Sequence, residues 1–169
     1  GDAFDQVTRH HRWVAVLGDV SYNWLVRANR WISWLRRKLG LQIHTTELAE
    51  QFTKIAAVPE AEAAALSRQW AAEHRVEGPS AEELAKTGRL VLALKQVARE
   101  NRLDVLAVRC LPEIWQHTGI TPCGALSFLT DGGLSTACEA DVLGAATMFI
   151  HRRLTGGVLL QRTRGSHET

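Results

Sequence analysis

The chain has 169 residues, of which 46% are hydrophobic and 22% are charged, an ordinary composition for a globular protein with a sizeable core. Its formal net charge of +2 is too small to imply a nucleic-acid partner. No stretch approaches the length of a membrane span and no N-terminal apolar run resembles a secretory signal, so we expect no membrane partner and a cytoplasmic location. Three cysteines, an odd number, favour reduced thiols: Cys110, Cys123 and Cys138.

The N-terminal half alternates predicted strands with predicted helices. Residues 12–17 form a compact apolar run typical of a strand, and apolar side chains at helical spacing predict a helix over 22–39. A second strand is predicted over 41–45, followed by a helix that opens at Thr46 and Glu47 and runs to about Ile55.

The next elements have clear start signals. Pro59 predicts the beginning of a helix that runs to about His74, because proline is tolerated in the first helical turn. Ser80 and Glu83 have the spacing of a capping box and predict a long helix to Asn101. Residues 103–110 are the clearest strand, and residues 158–161 predict a last one.

Alternating strands and helices indicate an α/β fold: a mostly parallel sheet covered by helices on both faces, in a Rossmann-like three-layer sandwich. We expect residues 1–169 to form a single domain with the strand over 103–110 near the centre of the sheet. Residues 1–10 and 162–169 lack apolar periodicity, so we expect both termini to be mobile.

The segment from 122 to 156 carries the clearest functional pattern. Residues 122–133 predict a loop, residues 134–138 a short strand, and residues 142–154 a helix, with Glu139 and Asp141 between the last two. A carboxylate between a buried strand and a helix lies at the carboxyl edge of the sheet, where open α/β sheets bind ligands. An acidic residue there can also complement the helix N-terminus, so position alone leaves both interpretations open.

This segment resembles the L-fucose isomerase family and its L-fucose/L-arabinose isomerase-like relatives. The resemblance is specific over 103–156 and looser over 13–98, and it implies that the chain corresponds to the middle of three domains. The residues that match the family pattern are Cys123, Ala125, Ser127, Leu129, Asp131, Gly133, Cys138, Glu139, Asp141, Leu154, Thr155 and Gly156.

The resemblance implies an aldose–ketose isomerase of carbohydrate metabolism that acts on a deoxyhexose or pentose such as L-fucose or L-arabinose. It implies that Glu139 is both the catalytic base and a ligand of Mn²⁺ or Mg²⁺, and that Asp141 has a supporting or structural place. The reaction passes through an enediol, so it needs a positioned base and a cation near the sugar oxygens. Oxygen ligands suit manganese or magnesium.

The family's other metal ligands have no match in the sequence. They are an aspartate soon after Leu-Thr-Gly and a histidine far downstream, whereas residues 158–169 contain no aspartate and His167 lies in a polar tail. We therefore expect an isolated domain with little or no activity of its own, completed by a further domain or by other copies in a homo-oligomer.

Two other function classes stay open: a non-catalytic sugar-binding module of the same fold, and an oligomerisation module that uses the tryptophan-rich helix. The basic residues of that helix favour a solvated face over a nucleic-acid site, with Trp34 exposed if Trp31 and Leu35 define its apolar stripe. No G-x-G-x-x-G follows the first strand, which argues against a dinucleotide cofactor site. His44 and His74 are isolated and are predicted to be structural.

Overall fold

The computed structural model describes residues 13–17, 25–110 and 112–157, with the backbone only for 13–17 and 25–31. Strands and helices alternate along most of this part of the chain. The described elements are β1 (Trp13–Leu17), α1 (Leu25–Leu39), β2 (Gln42–Thr46), α2 (Leu48–Ala57), α3 (Glu60–Glu73), α4 (Ala81–Glu100), β3 (Val105–Val108), α5 (Glu113–Thr118), α6 (Cys123–Asp131), β4 (Ser135–Ala137) and α7 (Val142–Thr155).

The four described strands form one parallel sheet in the order β2-β1-β3-β4. β3 lies between β1 and β4, with Val105 opposite Val14 on one side and opposite Ser135 on the other. All four residues of β3 are buried, as its two-sided apolar sequence predicts. The predictions of an α/β fold, of a parallel sheet and of a central place for 103–110 are confirmed, while the Rossmann-like three-layer class stays a prediction for so small a sheet.

Side chains of β3 alternate between two cores. Leu106 and Val108 belong to a cluster that we call the α4 core, because α4 supplies its largest share of buried residues, with others from α2, α3, α5 and α6. Val105 and Ala107 belong to a second cluster, the α7 core, with residues of α1, β2, β4 and α7. Helices therefore pack on both faces of the sheet, and β3 is common to both cores.

The start of α4 confirms the predicted capping box. The Ser80 hydroxyl accepts a hydrogen bond from the Glu83 backbone N–H at 3.2 Å, and the Glu83 carboxylate accepts one from the Ser80 backbone N–H at 2.7 Å. The bond from the Ser80 backbone N–H, followed by one that the Ser80 hydroxyl donates to the same carboxylate at 2.8 Å, lowers the pKa of the Glu83 carboxyl. Two otherwise unpaired amides at the helix end are satisfied in this way.

The predicted loop over 122–133 is wrong, because residues Cys123–Asp131 form α6. Ala125, Leu126 and Leu129 make a buried face at helical spacing, and the Thr136 hydroxyl donates to the Leu126 carbonyl at 2.9 Å. Gly124 has a poor intrinsic preference for helix, but burial of the apolar face outweighs that preference. The short helix α5 was likewise not predicted.

Some sequence predictions concern residues outside the described ranges. The strand over 158–161, the termini 1–10 and 162–169, and His167 all lie there. None of the described helices has the length and apolar character needed to cross a membrane. On α1, Trp34 is 39% exposed and Leu35 is 1% exposed, which agrees with the predicted orientation of these two residues.

Candidate functional site

Four residues that follow β3 and β4 form a cluster at the carboxyl edge of the sheet. Arg109 and Cys110 follow β3, and Cys138 and Glu139 follow β4. Because the two strands pair in parallel with Ala107 opposite Ala137, the residues after them lie next to each other. We call these four residues the carboxyl-edge cluster.

Glu139 has an unusual backbone conformation. Its φ is 57° and that of Ala140 is 52°, so two successive residues with β-carbons occupy the left-handed region. This region costs such residues on the order of 1–2 kcal/mol each. Strained residues of this kind persist only where their surroundings hold them, and they concentrate at functional sites.

Three hydrogen bonds donated by backbone N–H groups hold this turn. The Glu139 N–H donates to Cys110 Sγ at 3.3 Å, and the Ala140 N–H donates to the Val108 carbonyl at 3.0 Å. The Asp141 N–H donates to the Cys138 carbonyl at 3.0 Å. Two of the three bonds reach β3 or the residues just after it, so the central strand fixes the position of Glu139.

The two acidic residues after β4 have different contacts. Asp141 is the N-cap of α7, and its Oδ1 accepts a hydrogen bond from the Gly144 N–H at 2.8 Å. Glu139 is exposed, and no described residue makes a hydrogen bond or an ion pair with its carboxylate. From the sequence, either residue could have capped the helix. In the structure Asp141 does so, and the Glu139 carboxylate is accessible to solvent.

Cys110 and Cys138 form a thiol pair that the sequence analysis did not identify. Both are free cysteines, and Cys138 Sγ lies 2.7 Å from Cys110 Sγ as a hydrogen-bond donor. This bond lowers the pKa of Cys110 from its usual 9.0 to about 7, against the opposing effects of burial and of the Glu139 charge. The same bond, followed by burial, raises the pKa of Cys138. The indication in the sequence was that both cysteines lie within two residues of the end of a strand.

A buried cation lies in the same cluster. Arg109 is 6% exposed and forms an ion pair with Glu113, one turn ahead on α5. The second carboxylate oxygen of Glu113 is buried and has no hydrogen-bond partner within the described residues. Arginine at this position was not singled out from the sequence, although a charged residue that ends an apolar strand is a recognisable feature.

The described residues do not by themselves form a metal centre. Within the described ranges, no three histidine, cysteine, aspartate or glutamate residues are grouped so that they could hold a metal ion. Glu139 can supply one ligand, whereas divalent manganese or magnesium needs several oxygen ligands. The expected Mn²⁺ or Mg²⁺ stays a prediction that requires ligands from elsewhere in the protein.

A pocket of about 770 Å³ lies at the opposite edge of the sheet. It is lined by Leu103 and Asp104, which precede β3, and by Leu134 and Ser135 at the start of β4. Since the strands are parallel, this is their amino edge, and the pocket does not include Glu139.

Comparison with known proteins gives matches over most of the chain. No family model matches it. Over 125 residues the chain is 34% identical to the sulfoquinovose isomerase of Priestia aryabhattai, covering 73% of this chain and 28% of that protein. It is 31% identical to the sulfoquinovose isomerase of Alkalicoccus urumqiensis over 125 residues, 70% and 27% of the two chains. For the sulfoquinovose isomerase of Clostridium sp. (strain MSTE9) the identity is 31% over 127 residues, 73% and 28%.

These matches are partial with respect to the relatives. The matched region is little more than a quarter of the length of each of these curated proteins. Their names give sugar isomerases as a class but do not mention L-fucose isomerase, so the narrower family stays a prediction. Over roughly 70% of its length, the chain is related to a segment of sugar isomerases.

Proposed function

We propose that the chain is part of an aldose–ketose isomerase and that Glu139 is its catalytic base. One observation carries this proposal: an exposed carboxylate is held in a strained turn, two residues after β4, at the edge where parallel α/β sheets bind ligands. The similarity to proteins named sulfoquinovose isomerase supports the class of reaction.

The chemistry requires one group that first takes up a proton and then returns it. The Glu139 carboxylate removes the proton from C2 of the open-chain aldose while the C1 carbonyl oxygen gains a proton, which gives an enediol. The carboxylic acid then returns its proton to C1 as the C2 hydroxyl loses its own and becomes the carbonyl of the ketose. The C1 oxygen takes its proton from water and the C2 hydroxyl gives one back to water, so no proton is gained or lost overall. A residue fixed by backbone hydrogen bonds suits both steps, because the carboxylate must stay within reach of two neighbouring carbons.

The proposed substrate is sulfoquinovose, the sugar in the names of the relatives. L-Fucose and L-arabinose, which the sequence resemblance implies, are the alternatives. A bound Mn²⁺ or Mg²⁺ would stabilise negative charge on the sugar oxygens, with Glu139 as one ligand and the others from parts of the protein beyond the described residues.

The test uses the full-length protein that contains this chain. Glu139→Gln keeps the size of the side chain and removes its charge, so we expect turnover to fall on the order of 10²–10⁴-fold with an unchanged melting temperature. Conversion of sulfoquinovose, L-fucose and L-arabinose is measured by NMR with and without Mn²⁺. Glu62→Gln, an exposed glutamate on α3, is the matched control and should keep wild-type turnover.

A second substitution separates catalysis from stability. Glu139→Gly relieves the left-handed strain at φ 57° but adds backbone entropy to the unfolded state. We therefore expect the free energy of unfolding to rise by about 0.5–1 kcal/mol. Turnover should nevertheless be lost.

If Glu139→Gln keeps more than a tenth of wild-type turnover, or if the loss of turnover only follows the loss of folded protein, Glu139 is not the base. Sugar binding without turnover in the wild-type protein would instead support a binding module.

A further inference from the structure

The pocket at the amino edge of the sheet is strongly basic. Its charged lining consists of Lys95, Arg99, Arg102, Arg152, Arg153 and Asp104, that is, five cations and one anion. The pocket lies between α4 on one face of the sheet and α7 on the other. Its volume of about 770 Å³ is within the usual range for small-ligand sites.

Two of the cations have structural contacts. Arg152 donates from Nη1 to the Thr130 carbonyl at 3.0 Å and so satisfies the C-terminal end of α6. Arg153 lies 3.9 Å from Asp104 and over the ring of Phe149, with its guanidinium carbon 5.4 Å from the ring centroid. Basic side chains at helix C-termini are expected, because they complement the helix dipole.

The other three cations have no such contacts, although Arg99 in the last turn of α4 and Arg102 just after it also lie where basic side chains complement the helix dipole. Lys95, Arg99 and Arg102 make no side-chain hydrogen bond or ion pair with any described residue. Lys95 and Arg99 stand four residues apart on α4, a like-charge spacing that is unfavourable within a helix. Arg102, with φ 53°, is the left-handed residue that ends α4, where the Leu103 N–H donates to the Ala98 carbonyl at 2.8 Å. Three cations in one pocket without a described side-chain partner favour a negatively charged ligand there.

The size of the pocket indicates that the anion belongs to a larger molecule. Leu103, Leu129 and Phe149 also line the pocket but are only 8%, 1% and 4% exposed, so its accessible surface is mainly that of the charged side chains and of the backbone. At Gly133 a β-carbon would lie 3.1 Å from Arg152 Nη2, so glycine leaves room for that guanidinium. A bare inorganic ion would contact the cations and leave most of the volume of about 770 Å³ empty.

We propose that this pocket is a binding site for a small organic phosphate, with the phosphate on Lys95, Arg99 and Arg102 and a sugar-sized body in the remaining volume of the pocket. The site is separate from the carboxyl-edge cluster. Since β3 has four residues, the two edges are roughly 13 Å apart along the strand. The inference therefore does not depend on the isomerase proposal.

The test is isothermal titration calorimetry on the full-length protein, with fructose 6-phosphate as the probe at about 50 mM salt. Unphosphorylated fructose and inorganic phosphate are titrated in parallel. The variants are Lys95→Gln/Arg99→Gln and Arg102→Asn, the latter chosen because asparagine tolerates the left-handed region. Arg68→Gln, an exposed arginine of α3 outside the pocket, is the matched control.

We expect fructose 6-phosphate to bind more tightly than either parallel probe, and to lose affinity at least tenfold in the double variant and severalfold in Arg102→Asn. The control should stay within twofold of wild type. No binding to a folded wild-type protein would overturn the proposal and indicate that another part of the protein covers the pocket. Equal affinity for inorganic phosphate, or binding that the variants do not weaken, would overturn it as well.

Discussion

The turn that carries Glu139 shows how a reactive side chain can be positioned without contacts of its own. Its carboxylate has no described partner, so its place is set by the backbone of Glu139 and Ala140 at φ 57° and 52°. That backbone is in turn fixed by bonds to the Val108 carbonyl and to Cys110 Sγ. A side chain placed in this way can meet a substrate without first breaking a protein contact.

The thiol pair under this turn predicts a pH dependence of stability. In the folded protein the pKa of Cys110 is lowered to about 7, whereas an unfolded cysteine keeps its usual value of 9.0. Between these values the unfolded state binds more protons, so the pair's contribution to the free energy of unfolding rises from about pH 7 to 9. Above pH 9 it falls, because the raised pKa of Cys138 keeps a proton in the folded state that the unfolded state has lost.

Urea unfolding of wild type and Cys138→Ala from pH 6.5 to 10 measures this effect. The stability difference between the two proteins should grow toward pH 9 and shrink beyond it. Cys123→Ala, which removes the exposed cysteine outside the pair, should stay close to wild type, since the charge of Cys123 is only a lesser cause of the raised pKa of Cys138. A difference that is independent of pH would mean that the two thiols do not share a proton.

The thiol pair also marks a limit of prediction from sequence. Cys110 and Cys138 are 28 positions apart and were interpreted only as an unpaired set with Cys123. Contact between them depends on β3 and β4 being parallel neighbours in register, which apolar patterning does not specify. Glu139, by contrast, was singled out because the local motif that contains it resembles that of L-fucose isomerases, whereas its place after a short strand alone left a helix cap open.

At the scale of elements, local signals predicted most of the described fold. The capping box of Ser80 and Glu83 located the start of α4, and the apolar run from Val105 to Val108 located β3. α6 was missed because its glycine and hydroxyl residues resemble a loop, and because only burial against the α4 core favours a helix there. Helix propensity does not predict a helix whose stability comes mostly from tertiary contacts.

The packing of α3 on α4 makes a prediction that opposes helix propensity. Gly88 lies within α4, and a β-carbon there would lie 2.7 Å from the Ala63 carbonyl oxygen of α3. Replacing glycine with alanine in a helix interior raises the free energy of unfolding by up to about 1 kcal/mol through helix propensity. Overpacking against a backbone atom lowers it by on the order of 1–3 kcal/mol. We therefore expect Gly88→Ala to lower the free energy of unfolding measured in urea.

Gly124→Ala is the matched control for this substitution. Gly124 is exposed in the first turn of α6, and the nearest atom to its β-carbon would be a Thr87 methyl carbon at an ordinary 3.6 Å. We expect Gly124→Ala to raise the free energy of unfolding by up to about 1 kcal/mol. A stabilising Gly88→Ala would show that α3 moves freely relative to α4.

At the scale of the whole molecule, the parallel sheet assigns different chemistry to its two edges. The carboxyl edge presents Glu139 beside the thiol pair, whereas the amino edge collects the C-terminal ends of α4 and α7 with their basic residues. This separation follows from the topology, because helices that return between parallel strands all end on the same side. β3, which belongs to both cores, runs from one edge to the other.

Because β3 is shared, we predict that the two cores unfold together. Leu90 of the α4 core and Leu35 of the α7 core are 0% and 1% exposed, so either leucine to alanine change should cost about 2–5 kcal/mol. Amide hydrogen exchange of β3 reports on both cores. Each variant should lower the free energy of exchange of the β3 amides by as much as it lowers the free energy of global unfolding. Leu154→Ala, at a residue 54% exposed, is the control and should change β3 protection by no more than about 0.5 kcal/mol.

Independent unfolding of the two cores would give a different pattern of exchange. If the cores are independent, Leu35→Ala will lower the protection of α1 and β2 while the amides of α4 and β3 exchange at wild-type rates. Unfolding followed by circular dichroism and by tryptophan fluorescence would then give two separate transitions instead of one. Val105 and Leu106, adjacent in β3 but assigned to different cores, argue for the single transition, since neither core can lose its β3 side chains without breaking the backbone pairing that holds the other.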